Sequence, residues 1–208
     1  LDDISPLRQT TVATASAAAI LFKPADAVPV SGANLDYYLG PSSSGAVKLE
    51  ILDSSDRIVH AATSAAPDAT DRWLPVTRPI SAAPGHHRVS WNLRVDPPPA
   101  QKHRYAQFAR ALFEDMPPDP AGPPVLPGSY RVRLTAAGQA YTQPLTVHHD
   151  PRVGEAPATL SAQRRQFALA MKVYDAMRIA HREFAQLARV RAQLKSLLTS
   201  TDPDVAGQ

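Results

Sequence analysis

The chain has 208 residues, of which 44% are apolar and 20% charged, a composition that is typical of a globular protein and excludes a disordered one. Its net charge is +3, and segment 178–195 comes closest to the basic stripe of a nucleic-acid-binding protein. The charges of this segment are better explained as the solvent-exposed face of a helix than as a nucleic-acid-binding surface, so no nucleic-acid partner is expected. Cysteine is absent, which excludes disulfides and thiolate metal sites. No run approaches the roughly 18 apolar residues of a membrane span.

Residues 20–150 carry strand patterns joined by turns, most of which contain Gly or Pro. The runs that predict strands are 20–22, 34–39, 47–52, 57–61, 87–95, 130–135 and 141–147. In the clearest run, Val89, Trp91, Leu93 and Val95 alternate with polar residues, and Trp91 is predicted to be the central core aromatic. Strands at this spacing, without helices between them, predict an antiparallel Ig-like or fibronectin-III-like β-sandwich.

Two loop-like stretches carry candidate interaction residues. A proline-rich insertion at 97–128 interrupts the strands, and a short helix is predicted inside it with Tyr105 and Phe108 on one face. Insertions of this length are either functional or disordered. Trp73 lies in the other stretch, where three interpretations stay open: it docks a neighbouring domain, stacks on a ligand, or covers the edge of the core.

Residues 151–208 predict one long amphipathic helix and a tail, so the fold class is mainly β with a C-terminal α element. Thr159 or Ser161 can cap the helix, which runs to about Leu198. Apolar residues recur at steps of three and four, and we take them as candidate interaction residues: Phe167, Met171, Tyr174, Met177, His181, Phe184, Leu187, Leu194 and Leu198. Roughly 38 residues give a rod of about 55 Å, longer than a sandwich. The helix is therefore expected to overhang the sandwich, bend back or find another partner for its stripe. A stripe buried in a coiled coil predicts a dimer, such as a homodimer, or a higher assembly.

The histidine pairs and carboxylate pairs suggest a metal site or catalysis, but each pair is better explained without either. His86-His87 and His148-His149 are adjacent pairs, and neighbours on a strand point to opposite faces, so neither pair easily shares a metal. A four-histidine cluster stays open if their strands are neighbours. Asp2-Asp3 and Glu114-Asp115 are not placed as a catalytic carboxylate pair. No nucleophile elbow or phosphate-binding loop is present. We expect no catalytic residue, cofactor or metal.

Several strings, taken in order, resemble one family. They are LDDISPL at 1–7, YYL at 37–39, VKLEILD at 47–53, VSWNLR at 89–94, VLPGSYRVRL at 125–134, LTVHHDPR at 145–152 and the Arg- and Gln-rich stretch 162–194. They are similar to the C-terminal region of secreted bacterial sortilin-type, BNR-repeat β-propeller proteins, often labelled glycosyl hydrolases. In that family a segment like the Ig-like domain of the flagellar hook-capping protein follows the propeller and precedes a helical tail. The chain departs from the family pattern at 33–36 and at Val95.

The resemblance implies a domain organisation and a setting. Residues 1–19 would end a preceding propeller, 20–150 would form the Ig-like sandwich, and 151–208 the helix and tail. It implies an extracytoplasmic bacterial protein whose catalysis or ligand binding lies in the propeller. The expected function is a non-catalytic interaction module that packs on its own propeller and assembles through the helix. Two alternatives stay open. One is a hydrolase; the other is a carbohydrate-binding module that uses Tyr37, Tyr38, Trp73, Tyr105 and Phe108.

Overall fold

The computed structural model describes residues 4–11, 16–65, 79–99, 121–153 and 157–199. The chain divides into two compact units: Leu1–Asp96 with Pro124–Phe167, here called the sheet unit, and Pro97–Pro123 with Ala168–Gln208. Two antiparallel sheets followed by a long helix confirm the prediction of a mainly β protein with a C-terminal α element.

The described part of the sheet unit contains a short helix, α1 (Ser5–Arg8), seven strands and the start of the C-terminal helix. The strands are β1 (Ala19–Leu21), β2 (Ala33–Leu39), β3 (Lys48–Leu52), β4 (Ile58–Thr63), β5 (Gly85–Trp91), β6 (Gly128–Ala136) and β7 (Gln139–Val147). One sheet has the strand order β1-β2-β5 and the other β4-β3-β6-β7. Every neighbouring pair of strands is antiparallel.

The inner faces of the two sheets share one core. Strand alternation buries Leu35, Tyr37 and Leu39 of β2 in one sheet, as it buries Leu49 and Ile51 of β3 in the other. The rings of Trp91 on β5 and Tyr130 on β6 meet edge-to-face, with centroids 6.0 Å apart. Trp91 is 2% exposed, which confirms that it is a core aromatic.

Strand β5 ends four residues earlier than its alternation predicts. Leu93 has φ 58°, a left-handed conformation that a strand does not accommodate. The Nε1–H of Trp91 donates to the carbonyl of Arg94 at 2.8 Å, and the Asp96 amide donates to the Val59 carbonyl at 2.8 Å. The chain therefore leaves one sheet after Trp91 and pairs with the outer edge of β4 in the other.

The segment after β1 also joins both sheets. Strand β1 pairs with β2, and Ala27 then forms a parallel bridge with Val147 at the outer edge of β7. The Ala27 amide donates to the Thr146 carbonyl, and the His148 amide donates to the Ala27 carbonyl, both at 2.8 Å. The edge of β7 is thereby covered at these residues, which protects backbone groups that would otherwise pair with another chain.

Tyr130 fixes the entry into β6 through its hydroxyl group. The hydroxyl donates to the Leu126 carbonyl, four residues upstream, at 2.6 Å. Burial raises the pKa of Tyr130 to about 12, and the negative charge of Asp53 adds to the shift. The phenol therefore stays protonated, and so remains a donor, throughout the pH range in which proteins are handled.

Gly32 is required by both its conformation and its surroundings. It has φ +71°, and a Cβ atom built on it would lie 2.6 Å from the carbonyl oxygen of Trp91. Gly45 has φ +96°, but an added Cβ would meet nothing within 4 Å. We expect Gly32→Ala to lower the free energy of unfolding by more than about 2 kcal/mol and Gly45→Ala by only about 1 kcal/mol. Urea unfolding of both variants measures the difference, and equal losses would contradict the close approach.

A buried carboxylate lies on the outer face of the larger sheet. Glu50 on the central strand β3 is 3% exposed. Its two oxygens lie 2.6 Å from Lys48 Nζ and 2.9 Å from Arg133 Nη2. Burial acts to raise the pKa of Glu50, but the hydrogen bonds and positive charges of Lys48 and Arg133 outweigh it, so the pKa lies below its ordinary value of 4.5.

This depressed pKa predicts a direction for the pH dependence of stability. The stabilisation by ionised Glu50 is present above the ordinary pKa and is lost as pH falls through the lower folded-state pKa. We expect Glu50→Gln to lower the free energy of unfolding by about 1.5–3 kcal/mol at pH 7, with the difference narrowing below pH 4. Asp175→Asn, which removes an exposed ion pair with Arg178, serves as control and should cost less than about 0.5 kcal/mol. A pH-independent difference would contradict the assignment.

The long helix α2 spans Pro157–Thr199, 43 residues, or about 64 Å at 1.5 Å per residue. Its interior contains no glycine or proline and is rich in Ala, Leu, Arg and Gln, the strong helix formers. The described part of the chain holds no helix with the length and hydropathy that crossing a bilayer requires.

Candidate interaction surface

Three of the candidate interaction residues fall outside the described residues. They are Trp73, Tyr105 and Phe108, together with the short helix predicted in the insertion. The others lie on α2, where their positions around the axis and their exposure are defined. The candidate surface is therefore built from α2.

The first half of the predicted apolar stripe is half-buried. Its members, here called the first stripe, are Phe167, Met171, Tyr174, Met177 and His181. At about 100° per residue they lie within an arc of about 120° around the helix axis. The first stripe therefore lies on one side of α2, as the three- and four-residue steps predict.

The second half of the predicted stripe lies on another side of the helix. Phe184, Leu187 and Leu194 are all exposed, and Leu187 lies about 160° around the axis from Phe167. A three-residue step falls about 60° short of a full turn, and the successive steps from His181 to Phe184 and to Leu187 accumulate that shortfall. The single predicted stripe therefore divides into two.

Leu187 and Leu194 belong to a longer apolar row, here called the heptad seam. Its members alternate at steps of four and three residues: Leu169, Val173, Ala176, Ala180, Glu183, Leu187, Val190, Leu194 and Leu197. An average spacing of 3.5 residues is the repeat of a coiled coil, in which such positions face a partner helix. Glu183 is the one polar member. Sequence analysis missed most of this row, although its signal, the regular alternation of steps, is present in the sequence.

The large side chains of the heptad seam are exposed. Their exposed fractions run from 44% at Val190 to 69% at Leu187. Ile179 and Phe184, next to the heptad seam, are exposed as well. Extended exposed apolar surface is unfavourable in water and marks a site of interaction. The whole heptad seam lies within the second unit, so it forms one continuous surface on one element.

Glu183 has a charged neighbour on its own helix. Arg182 Nη2 lies 2.9 Å from Glu183 Oε1, and both side chains are largely exposed. An exposed pair of this kind stabilises the helix little.

One histidine of each pair lies beside an aspartate, and the two aspartates are different. His86 Nε2 lies 3.2 Å from Asp36 Oδ1, and His148 Nε2 lies 2.9 Å from Asp26 Oδ2. Across the described ranges, no three His, Cys, Asp or Glu side chains are grouped as metal ligands. The residues described here therefore do not bring the four histidines together as a metal centre.

Among the described residues, the aromatic side chains that a carbohydrate-binding module would use do not form an exposed row. Tyr37 is fully buried, and its hydroxyl donates to the Ser81 carbonyl at 2.6 Å, so its ring offers no face to a sugar. Tyr38 is half-buried, and the other three residues lie outside the described ranges. No specific observation favours that function over association.

Comparisons with known proteins identify no relative of this chain. Searches against protein-family models, curated proteins and solved structures find no match for the chain. The resemblance to propeller-associated Ig-like domains therefore stays a prediction.

Proposed function

We propose that the chain is a non-catalytic interaction module that associates with a second copy of itself through α2. The observation that carries the proposal is the exposed heptad seam, nine positions at alternating steps of four and three residues. A row of this spacing is the pattern by which one helix packs against another, and its large side chains are exposed.

The apolar area is large enough for a specific dimer. Burying a Val, Leu, Ile or Phe side chain is worth about 1.5–3 kcal/mol, which at about 25 cal/mol per Å² corresponds to about 60–120 Å². The six large members of the heptad seam, with Ile179 and Phe184, give eight such side chains per copy. Two copies would remove on the order of 1,000 Å² from water. Specific interfaces begin at about this size.

A second copy fits the heptad seam better than an unlike helix does. Its seam has the same length and the same repeat, so most apolar positions of one copy can pack against apolar positions of the other. Two-fold pairs of this type are by far the commonest oligomers of soluble proteins. Because the chain has no cysteine, such a pair is not held by a disulfide.

For the sheet unit we propose an Ig-like sandwich of the fibronectin-III-like form. Three observations support this proposal. The sheets have the orders β1-β2-β5 and β4-β3-β6-β7, whereas in the constant-type Ig arrangement the fourth strand joins the sheet of strands one, two and five. The Tyr130 hydroxyl bonds to the backbone upstream of the sixth strand, as in the tyrosine corner of such domains. The segment that begins with β1 pairs with both sheets, because β1 pairs with β2 and Ala27 forms a bridge with Val147 at the edge of β7.

The proposed setting follows from the resemblance of the sequence strings alone. In it, the sheet unit packs on a β-propeller that precedes it in an extracytoplasmic bacterial protein, and α2 links two such proteins. The sheet unit is then a rigid spacer, and association is the function of the helix.

Exchange between tagged and untagged copies tests the proposal. Affinity-tagged full-length chain is mixed with untagged chain, allowed to exchange and captured. We expect the untagged copy to be retained, because the heptad seam pairs identical helices. Retention should be lost when both copies carry Leu187→Lys, and kept when both carry Ala192→Lys, which adds the same charge on the opposite side of α2. Absence of retention at tens of micromolar chain would contradict the proposal.

A further inference from the structure

We propose that the two α2 helices pair in antiparallel orientation, with Ala180 of each copy opposite Glu183 of the other at the centre of the heptad seam. This inference rests on the proposed function and specifies its geometry. It follows from where the one polar member and the two small members fall along the row.

Glu183 disfavours a parallel pair. In a parallel, in-register coiled coil each seam residue faces its own copy, so two Glu183 carboxylates would meet within an otherwise apolar interface. Two carboxylates that share a site repel each other and cannot both ionise without cost. A parallel shift by one heptad would separate them, but it would leave a full heptad of each seam unpaired.

The alanines disfavour a parallel pair for a second reason. Ala176 and Ala180 would each face their own copy, so two successive layers would be thin. The layers at Leu187, Val190, Leu194 and Leu197 would all be wide. An uneven interface of this kind either leaves cavities or holds the helices apart, and both are unfavourable.

An antiparallel pair removes both problems. Leu169 then faces Leu194 of the second copy, Val173 faces Val190, Ala176 faces Leu187, and Ala180 faces Glu183. Each alanine is opposite a larger side chain, so the layers become more even. Glu183 faces a methyl group, which leaves room for its carboxylate to reach solvent and its neighbour Arg182, 2.9 Å away in the same helix.

Distances between spin labels distinguish the orientations in the full-length chain. Because the chain has no cysteine, Ala192→Cys and Ala185→Cys each introduce one labelling position. The two positions are seven residues apart, on the side of α2 away from the heptad seam. In either orientation, a label and its copy on the second helix are therefore separated by about 25 Å perpendicular to the helix axes. In the antiparallel pair Ala192 also lies about 32 Å along the axis from its copy, and Ala185 only about 10 Å.

The antiparallel pair predicts about 40 Å between labels at 192 and about 27 Å between labels at 185, measured by double electron–electron resonance. A parallel pair predicts equal distances of about 25 Å at both positions, and this result would overturn the inference while leaving association intact. A monomeric mass together with no intermolecular distance would overturn the proposed function itself, so the two failures are distinguishable. Labelled samples should keep the helicity and unfolding midpoint of the unlabelled chain.

Discussion

Trp91→Ala is expected to lower the free energy of unfolding of the sheet unit by about 3–5 kcal/mol, the loss typical of removing a large aromatic from a core. The Trp91 ring is stacked on His60 with centroids 6.2 Å apart and meets the edge of Tyr130 at 6.0 Å. It also donates through Nε1 to the Arg94 carbonyl at 2.8 Å. One substitution therefore removes two ring contacts between the sheets and the hydrogen bond made where β5 ends.

Trp91→Phe separates these two contributions. Phenylalanine keeps much of the aromatic contact but leaves the Arg94 carbonyl without its donor, so we expect a loss of about 1–3 kcal/mol. Urea unfolding followed by far-ultraviolet circular dichroism measures both variants. A loss below about 1 kcal/mol for Trp91→Ala would contradict the placement of this ring at the centre of the core.

Leu194→Lys is expected to weaken association by about 100-fold or more. Each copy loses the burial of one leucine, worth about 1.5–3 kcal/mol, and places a charge in an apolar layer. A symmetric dimer loses this twice, and each 1.4 kcal/mol is a factor of ten in the dissociation constant. Sedimentation velocity over a dilution series measures the dissociation constant directly.

The matched control for this prediction is Ala192→Lys. It adds the same charge two residues away, on the side of α2 opposite the heptad seam, so we expect the dissociation constant to change by less than about threefold. Equal effects of the two lysines would show that net charge, and not the heptad seam, governs association. Unchanged helicity in both variants excludes loss of the helix as the cause.

The sheets could be predicted from the sequence because burial on one face imposes a repeat of two residues. Alternation at 47–52 and 130–135 places Leu49 and Val132 correctly in the core. The end of β5 could not be predicted, because alternation continues through Leu93 while the backbone turns there. The turn is set by tertiary bonds, of Trp91 to Arg94 and of Asp96 to Val59, which no local pattern records.

The helix could be predicted almost to its ends, but its two faces could not be separated by collecting apolar residues at steps of three and four. Consecutive three-residue steps drift around the axis, so these steps group Leu187 with Phe167 although the two lie on nearly opposite sides of the helix. A stricter repeat of four and three recovers the heptad seam. The strand order of the sheets lay beyond sequence reasoning, because it depends on pairings between distant segments.

Pairing of two copies of this chain through α2 is best measured by sedimentation equilibrium of the unmodified 208-residue chain. One chain has a mass of 22.4 kDa. We expect a mass of about twice that value at tens of micromolar chain, falling towards one chain on dilution, as mass action requires. A mass of one chain at every concentration up to the millimolar range would show that the chain does not pair.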